Sequence, residues 1–238
     1  MAKSNRHNFV KQTVLLSGLF LLSLLSSAQE KGQRIKLLNA DQLLFDDQVS
    51  NARKLLGNVR FKQGDMLMYC DSAYLFAEKN TLFAYSNVKL VRGDTVTITG
   101  DSLKYYGDSG KGELRGSIEA NTPSQQLNTN YLDFNTKSNT IYYLGGGKIL
   151  QKKKNQTLRS EIGYYYGETG TYFFKDSVEI IDSSYRIQAD TLQYNIRTEF
   201  TKFLGPTYIF NDSNLIYCES GFVDQRTGES EFTCNAFI

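Results

Sequence analysis

The sequence predicts an all-β domain built from repeats of about 30 residues, and three observations predict it. Aromatic residues, which favour strands, make up 13% of the 238 residues, and there are 19 glycines for turns but only two prolines. One residue pattern recurs at a nearly fixed interval, which is typical of stacked repeat architectures. No stretch after residue 28 shows a sustained helical period.

Residues 1–28 are predicted to be a signal peptide rather than part of the folded domain. Basic residues precede an apolar run from Val14 to Leu25, and a small-residue cleavage site ends at Ala28. The apolar run is about a dozen residues long, well short of the roughly 20 that span a membrane. Residues 29–238 are therefore predicted to be exported and to form a single repeat domain. Their number is ample for a sizeable hydrophobic core.

Composition excludes several classes of function. Three of the 27 basic residues lie in the signal peptide, which leaves 24 against 25 acidic residues and a net charge of −1. That balance argues against a nucleic-acid partner, which needs a basic face. The one histidine, His7, also lies in the signal peptide, so no imidazole serves as a base or metal ligand. We predict no catalytic residues, no metal site and no cofactor.

Three cysteines make a disulfide framework improbable because their number is odd. Cys70 and Cys218 occupy equivalent positions five repeats apart, which is at least roughly 24 Å at one strand spacing per repeat and too far for a bond. Pairing of Cys218 with Cys234 is left open.

The repeat is marked by an acidic or amide residue that recurs at intervals of 29 to 31 residues. Its seven copies, here called the acidic ladder, are Asp41, Asp71, Asp101, Asn130, Glu161, Asp190 and Glu219. A second strand of each repeat carries a further series, Ala84, Leu114, Tyr143, Phe174, Phe203 and Phe232. The alternation of apolar residues changes phase at the ladder residue, so the chain is predicted to bulge or turn a corner there.

The acidic ladder has two possible interpretations, one chemical and one structural. Stacked carboxylates bind metals or act as acid and base, as in a β-helix enzyme that attacks polysaccharide with Asp71 and Asp101. However, the ladder tolerates Asn130 and mixes Asp with Glu. Asp and Asn suit corners because their side chains hydrogen-bond to nearby backbone. We therefore interpret the ladder as a set of corner residues.

Four shorter stretches resemble functional motifs. Lys152–Lys154 is interpreted as an exposed hairpin tip, and Gly145–Gly147 as turn or bulge chemistry because no helix pattern and no Lys-Ser/Thr ending follow it. Tyr164–Tyr166 places aromatic rings on both faces of a strand, so some are exposed or line a groove. Asn235–Phe237 looks like the start of an eighth repeat, which predicts an open strand edge or a longer chain.

The recurring motif is Gly/Ser-Asn-Val-x-Leu/Phe followed by Ile-x-Gly/Ala-Asp-Ser/Thr-Leu-x-Tyr, clearest at residues 57–106 and 176–196. It resembles the repeat of the OstA-like / LptA family of periplasmic lipopolysaccharide-transport proteins, which includes the N-terminal domain of LptD. The resemblance implies a repetitive β-jellyroll, an open, V-shaped and solenoid-like trough whose apolar interior receives acyl chains. It implies a non-enzymatic periplasmic protein that binds lipid and moves lipopolysaccharide toward the outer membrane.

The same resemblance implies partners and a site. The partners are lipopolysaccharide, the inner- and outer-membrane components of the transport system through edge-strand pairing, and further copies of the chain head to tail. The residues predicted to face the trough are Met68, Ile98, Leu103, Tyr105, Leu127, Leu132, Phe134, Leu158, Leu192 and Tyr194. The alternative is ordinary core packing in a secreted structural or adhesive β-solenoid with a closed, dry interior.

Overall fold

The structure is a computed structural model that describes residues 33–45, 51–153, 156–211 and 214–237. The predicted signal peptide lies outside the described residues and stays a prediction. Within these ranges there is no helix long and apolar enough to cross a membrane.

The described residues form 15 antiparallel strands in a single open sheet. The strands are β1 (Lys36–Asn39), β2 (Gln42–Phe45), β3 (Arg53–Gln63), β4 (Met66–Phe76), β5 (Thr81–Arg92), β6 (Val96–Tyr106), β7 (Lys111–Asn121), β8 (Gln125–Asn135), β9 (Thr140–Gln151), β10 (Gln156–Tyr166), β11 (Thr171–Ile181), β12 (Arg186–Asn195), β13 (Phe200–Asn211), β14 (Asn214–Asp224) and β15 (Glu229–Thr233). From β3 onward each strand pairs with the next along the chain, whereas β1 and β2 both pair with β3. This order confirms the predicted all-β repeat fold.

Each odd-numbered strand from β3 to β13 carries a bulge at its middle. In β5, Tyr85 pairs with Ser102 and Val88 pairs with Gly100, so Ser86 and Asn87 together oppose the single ladder residue Asp101. Two residues opposite one is the definition of a β-bulge, which bends the strand. The corner predicted at the acidic ladder is therefore confirmed, with the extra residue on the neighbouring strand.

The bulges require a left-handed backbone at their first residue. The six bulge pairs are Gly57-Asn58, Ser86-Asn87, Gly116-Ser117, Gly145-Gly146, Asp176-Ser177 and Gly205-Pro206, and the first member of each has a φ between 61° and 108°. Glycine, and to a lesser degree Asn and Asp, adopt this conformation at lower cost than other residues. Cys234 and Asn235, at φ of 57° and 60°, continue the series beyond β15.

The row of bulges divides the sheet into two half-sheets. Wing A contains the half-strands that join at turns such as residues 64–65, and wing B those that join at turns such as residues 77–80. In β4 the buried residues are Met66, Met68 and Cys70 in wing A but Ala73 and Leu75 in wing B. The change of phase at the bend turns both sets toward one interior, so the two wings share a continuous apolar core.

The margins of the two wings are tied together at the N-terminal end by residues 33–35, here called the clasp. Gln63 of wing A donates through Nε2 to the carbonyls of Gln33 at 2.6 Å and of Gly107 in wing B at 3.1 Å. The Ile35 amide donates to the side-chain oxygen of Asn80 at 2.8 Å, and Arg34 donates to the carbonyl of Ala77 at 3.0 Å. These bonds close the mouth of the V at that end.

Replacement of a bulge glycine tests the bend. Gly116→Ala is expected to lower the free energy of unfolding by at least about 2 kcal/mol, because a left-handed backbone alone costs alanine roughly 1–2 kcal/mol and a methyl group adds a clash. That methyl group would overlap the carboxylate of Asp101. Urea unfolding monitored by circular dichroism gives the loss.

Gly145→Ala is the matched control, because its φ is +75° and no heavy atom lies within 4 Å of an added Cβ. It should lose only the backbone contribution, roughly 1–2 kcal/mol. Equal losses for the two variants would show that the Asp101 contact does not constrain the bend.

Candidate functional site

All ten residues predicted to face the trough lie in the shared interior of the two wings. Four belong to wing A and six to wing B, and each side chain is at most 8% exposed. They are part of one hydrophobic cluster. The structure therefore brings the ten residues together and fills the space around them with other side chains. Contact between these residues and lipid stays a prediction.

In wing A the interior is a lane of aliphatic side chains that neighbour one another across the strands. From β6 to β14 the paired residues are Ile98, Ala120, Leu127, Ile149, Leu158, Ile180, Ile187, Ile209 and Ile216. Each step across the sheet is about 4.8 Å, so the lane from β3 to β14 is roughly 50 Å long. It is a continuous apolar strip whose side chains are buried in the shared interior.

The lane in wing B mixes leucines with aromatic rings. Phe134 covers Gly112 and Tyr143 covers Gly163, since a Cβ on either glycine would overlap the ring. Tyr105 stacks with Phe134 at 6.1 Å between ring centroids. Large and small residues therefore alternate across the wing, which is how a close-packed interior is filled.

Several residues of the wing B lane are not among the ten that the sequence predicted to face the trough. Leu114, Tyr143, Phe174 and Phe203 face the same interior as Leu132 and are at most 3% exposed. Their signal was present in the sequence, because the second-strand series has the same interval as the ladder. Register brings the two series together, since Leu114 pairs with Leu132.

The polar margin of wing A contrasts with the apolar lanes. Gln125, Gln151 and Gln156 are cross-strand neighbours at the turn ends of β8 to β10, and all three are at most 4% exposed. Gln156 donates through Nε2 to the hydroxyl of Tyr185 at 2.5 Å. The Nε2 atom of Gln151 has no hydrogen-bond partner among the described residues. The interior is therefore apolar in depth and hydrogen-bonding at its mouth.

The acidic ladder lies on the outside and serves the bulges. Asn87 donates to the carboxylate of Asp71 at 2.7 Å, and the backbone amide of Ser117 donates to that of Asp101 at 3.1 Å. Asn58 and Asn235 make the same type of bond to Asp41 and Glu219. These contacts confirm the interpretation of these residues as corner residues. The described part of the chain holds no cluster of three His, Cys, Asp or Glu side chains placed to bind a metal.

The shorter motifs lie where the sequence predicted them. Gly145 and Gly146 form the β9 bulge, and Lys152 and Lys153 are exposed in the turn that follows, whereas Lys154 lies outside the described residues. Tyr165 faces the interior, and Tyr164 lies on the outer face, where it stacks with Tyr142 at 4.7 Å between ring centroids. The surplus of aromatic residues is thus divided between both faces of wing B.

The three cysteines are all free. Cys70 and Cys218 are buried in wing A, where burial raises the pKa of the Cys70 thiol to about 12 and that of Cys218 to about 11. Cys234 is exposed beyond β15. The pairing of Cys218 with Cys234, which the sequence left open, is absent from this structure.

Comparison with known proteins gives a family and a likeness to solved structures. A family model described as OstA-like protein matches residues 32–190. No curated protein matches the chain. The structure is similar to that of LptH from Pseudomonas aeruginosa, described as the LptA homologous periplasmic component of the lipopolysaccharide transport device. That likeness has 15% identity and a TM-score of 0.41 over 44% of this chain and 79% of LptH.

Alkylation of the cysteines reports whether the interior is closed in solution. At pH 8 iodoacetamide is expected to modify Cys234 alone, because the raised pKa of Cys70 and Cys218 keeps both buried thiols protonated and unreactive. Mass spectrometry should show one modified cysteine in the native protein and three in urea. Cys234→Ser is the control and should show none in the native state. Rapid native modification of Cys70 would contradict a closed wing A.

Proposed function

Because this chain belongs to the OstA-like protein family, we propose that it is a non-enzymatic periplasmic protein that binds lipopolysaccharide and passes it toward the outer membrane. The observation that carries this proposal is the pair of apolar lanes that run unbroken across the repeats on the inner faces of both wings. The sequence motif resembles that of lipopolysaccharide-transport proteins and supports the same proposal.

Lipid binding on this scaffold requires the wings to separate, since side chains fill the interior. Exposure of one fully buried apolar side chain to water costs about 1.5–3 kcal/mol, whereas each buried methylene of an acyl chain returns roughly 0.8 kcal/mol. An acyl chain that replaces apolar contacts as the wings part therefore offsets much of the cost. The glutamines at the margin offer hydrogen bonds to polar groups of the lipid that remain at the mouth.

The open edges of the sheet support edge-strand pairing with partners. At the C-terminal edge, β15 pairs with Ser220–Asp224, the wing B half of β14, and in the described part of the chain the wing A half is met by a bridge between Tyr217 and Phe237. Unpaired backbone groups at a sheet edge accept a further strand. On this proposal the added strand comes from the inner- or outer-membrane components of the transport system, or from another copy of the chain.

A structural role is the second candidate, and the filled interior favours it. A secreted β-scaffold needs only the packing that the ten interior residues already make. The two candidate functions predict different results for the purified protein. A transfer protein purified under non-denaturing conditions carries lipid that mass spectrometry detects, whereas a structural protein carries none.

Photocrosslinking can distinguish lipid contact at the inner face of β6 from contact at its outer face. A diazirine amino acid at Leu103, which is buried, is expected to crosslink to lipopolysaccharide in cells, and the same group at Leu132 should behave alike. The control is Lys104, the next residue of β6, which is exposed on the outer face. Crosslinking at Leu103 and Leu132 but not at Lys104 supports the proposal. Crosslinking at Lys104 alone would refute an interior site, and none at any position would favour the structural role.

A further inference from the structure

Charge is distributed unevenly from one end of the sheet to the other. Residues 33–92, which contain β1 to β5, include nine basic and six acidic residues, whereas residues 171–238, which contain β11 to β15, include five basic and ten acidic residues. Residues 93–170 are close to balance, with nine basic and eight acidic residues. Because the strands from β3 onward follow one another across the sheet in chain order, one end of the molecule is basic and the other is acidic.

Four basic residues of the first end lie together on the outer face of wing A. Lys36 on β1 pairs directly with Lys62 on β3. Arg60 on β3 and Lys89 on β5 both pair with Tyr69 on β4, so they lie on either side of it in a second row. All four basic side chains are exposed. We call Lys36, Arg60, Lys62 and Lys89 the basic face.

The carboxylates of this end lie outside the basic face. No described carboxylate lies within 4.0 Å of its four charged groups. Asp41 and Asp71 lie at the bend, where each accepts a hydrogen bond from a bulge asparagine. Asp65 and Asp94 lie in the turns at the margin, and Asp65 is ion-paired with an arginine of β5 at 2.7 Å. In the row of Lys89 the next carboxylate is that of Glu119, two strands further on and roughly 10 Å away.

Apolar and aromatic side chains lie among these charges. Leu67 on β4 and Val91 on β5 are half-buried cross-strand neighbours, and Leu38 on β1 is 51% exposed. The Tyr69 ring is in contact with Arg60, whose guanidinium carbon lies 5.3 Å from the ring centroid. Basic residues mixed with apolar and aromatic side chains are typical of surfaces that lie at the boundary between lipid headgroups and acyl chains.

An anionic external surface fits the basic face better than a second copy of the chain does. Like charges directly opposite each other in a sheet repel, as Lys36 and Lys62 do, and a nearby anionic surface compensates that repulsion. The other end of wing A offers no matching negative face. The corresponding rows of β13 and β14 hold uncharged residues on the outside, namely Tyr208, Phe210, Leu215 and Tyr217.

We propose that the basic face docks on an anionic lipid bilayer, with its four cations at the level of the lipid phosphates and Leu38 toward the acyl region. Each basic residue near an anionic bilayer strengthens binding about fivefold. The acidic end of the sheet is repelled by the same surface, so the basic end faces the bilayer. The basic face lies on the outside of the wing, so docking does not depend on lipid in the interior.

Vesicle sedimentation with the chain purified after export tests this docking. At about 20 mM salt, vesicles of phosphatidylglycerol and phosphatidylcholine in equal parts should bind the protein, and vesicles of phosphatidylcholine alone should not. At about 500 mM salt the bound protein should be released, because exposed charges are then screened. Lys62→Glu and Lys89→Glu together are expected to weaken binding about 25-fold or more, since two attractive charges become repulsive.

The matched control is Lys175→Glu together with Lys202→Glu. These two exposed lysines lie on β11 and β13 near the acidic end, and their replacement makes the same change in net charge. The control should bind anionic vesicles within about threefold of the unchanged protein, because its substitutions lie more than a Debye length from the basic face. All four replaced lysines are exposed, so both double variants should fold, which circular dichroism checks.

Several results would overturn the proposal. These are no binding to anionic vesicles, equal binding to neutral vesicles, unchanged binding of the Lys62→Glu and Lys89→Glu variant, or an equal loss in the control. Sedimentation velocity without vesicles examines the other occupant. A dimer that the Lys62→Glu and Lys89→Glu variant loses, with no vesicle binding, would assign the basic face to a second copy. Crosslinking at Leu103 reports on the interior alone, so the two proposals fail separately.

Discussion

The alternation of side chains along a strand is the constraint on which this structure depends. Successive residues point to opposite faces, so a strand of 11 residues without an irregularity would send the apolar set of one half toward solvent. The even-numbered strands change phase at the ladder residue, and the extra residue of the bulge on the neighbouring strand accommodates that change and bends the sheet at the same place. One local irregularity, repeated on alternate strands, therefore creates two wings and the interior between them.

The bulges also explain the acidic ladder, whose carboxylates resemble catalytic or metal-binding residues. A bend needs a left-handed residue, and the polar groups freed by the broken ladder of hydrogen bonds need partners. Asp101 supplies such a partner to the backbone amide of Ser117, and Asp71 holds the side chain of the bulge residue Asn87. The regular spacing of the carboxylates follows from the regular spacing of the bends, and their position on the outside keeps the interior free of charge.

The repeat interval, the all-β fold and the inward orientation of residues such as Leu103 and Leu132 were predictable because each depends on local alternation. The sequence did not predict which strand carries the extra residue. The alternation of apolar residues changes phase at Asp101 in either case, whether the bulge lies on the strand of Asp101 or on the neighbouring strand. The packing of Tyr143 over Gly163 and the meeting of Lys148 with Arg159 depend on register between strands. Register is a property of pairs of strands, and neither sequence segment contains it alone.

The clasp gives the two wings a mechanical asymmetry. The two wings meet along the row of bulges, and residues 33–35 fasten the opposite margins at one end of that row through hydrogen bonds with Asn80 and Gln63. A pair of plates joined along such a row and fastened at one end opens as a fan, with the widest gap farthest from the fastening. The width of such an opening would increase steadily from the fastened end to the other end. A ligand between the wings would therefore meet a different width at each end of the molecule.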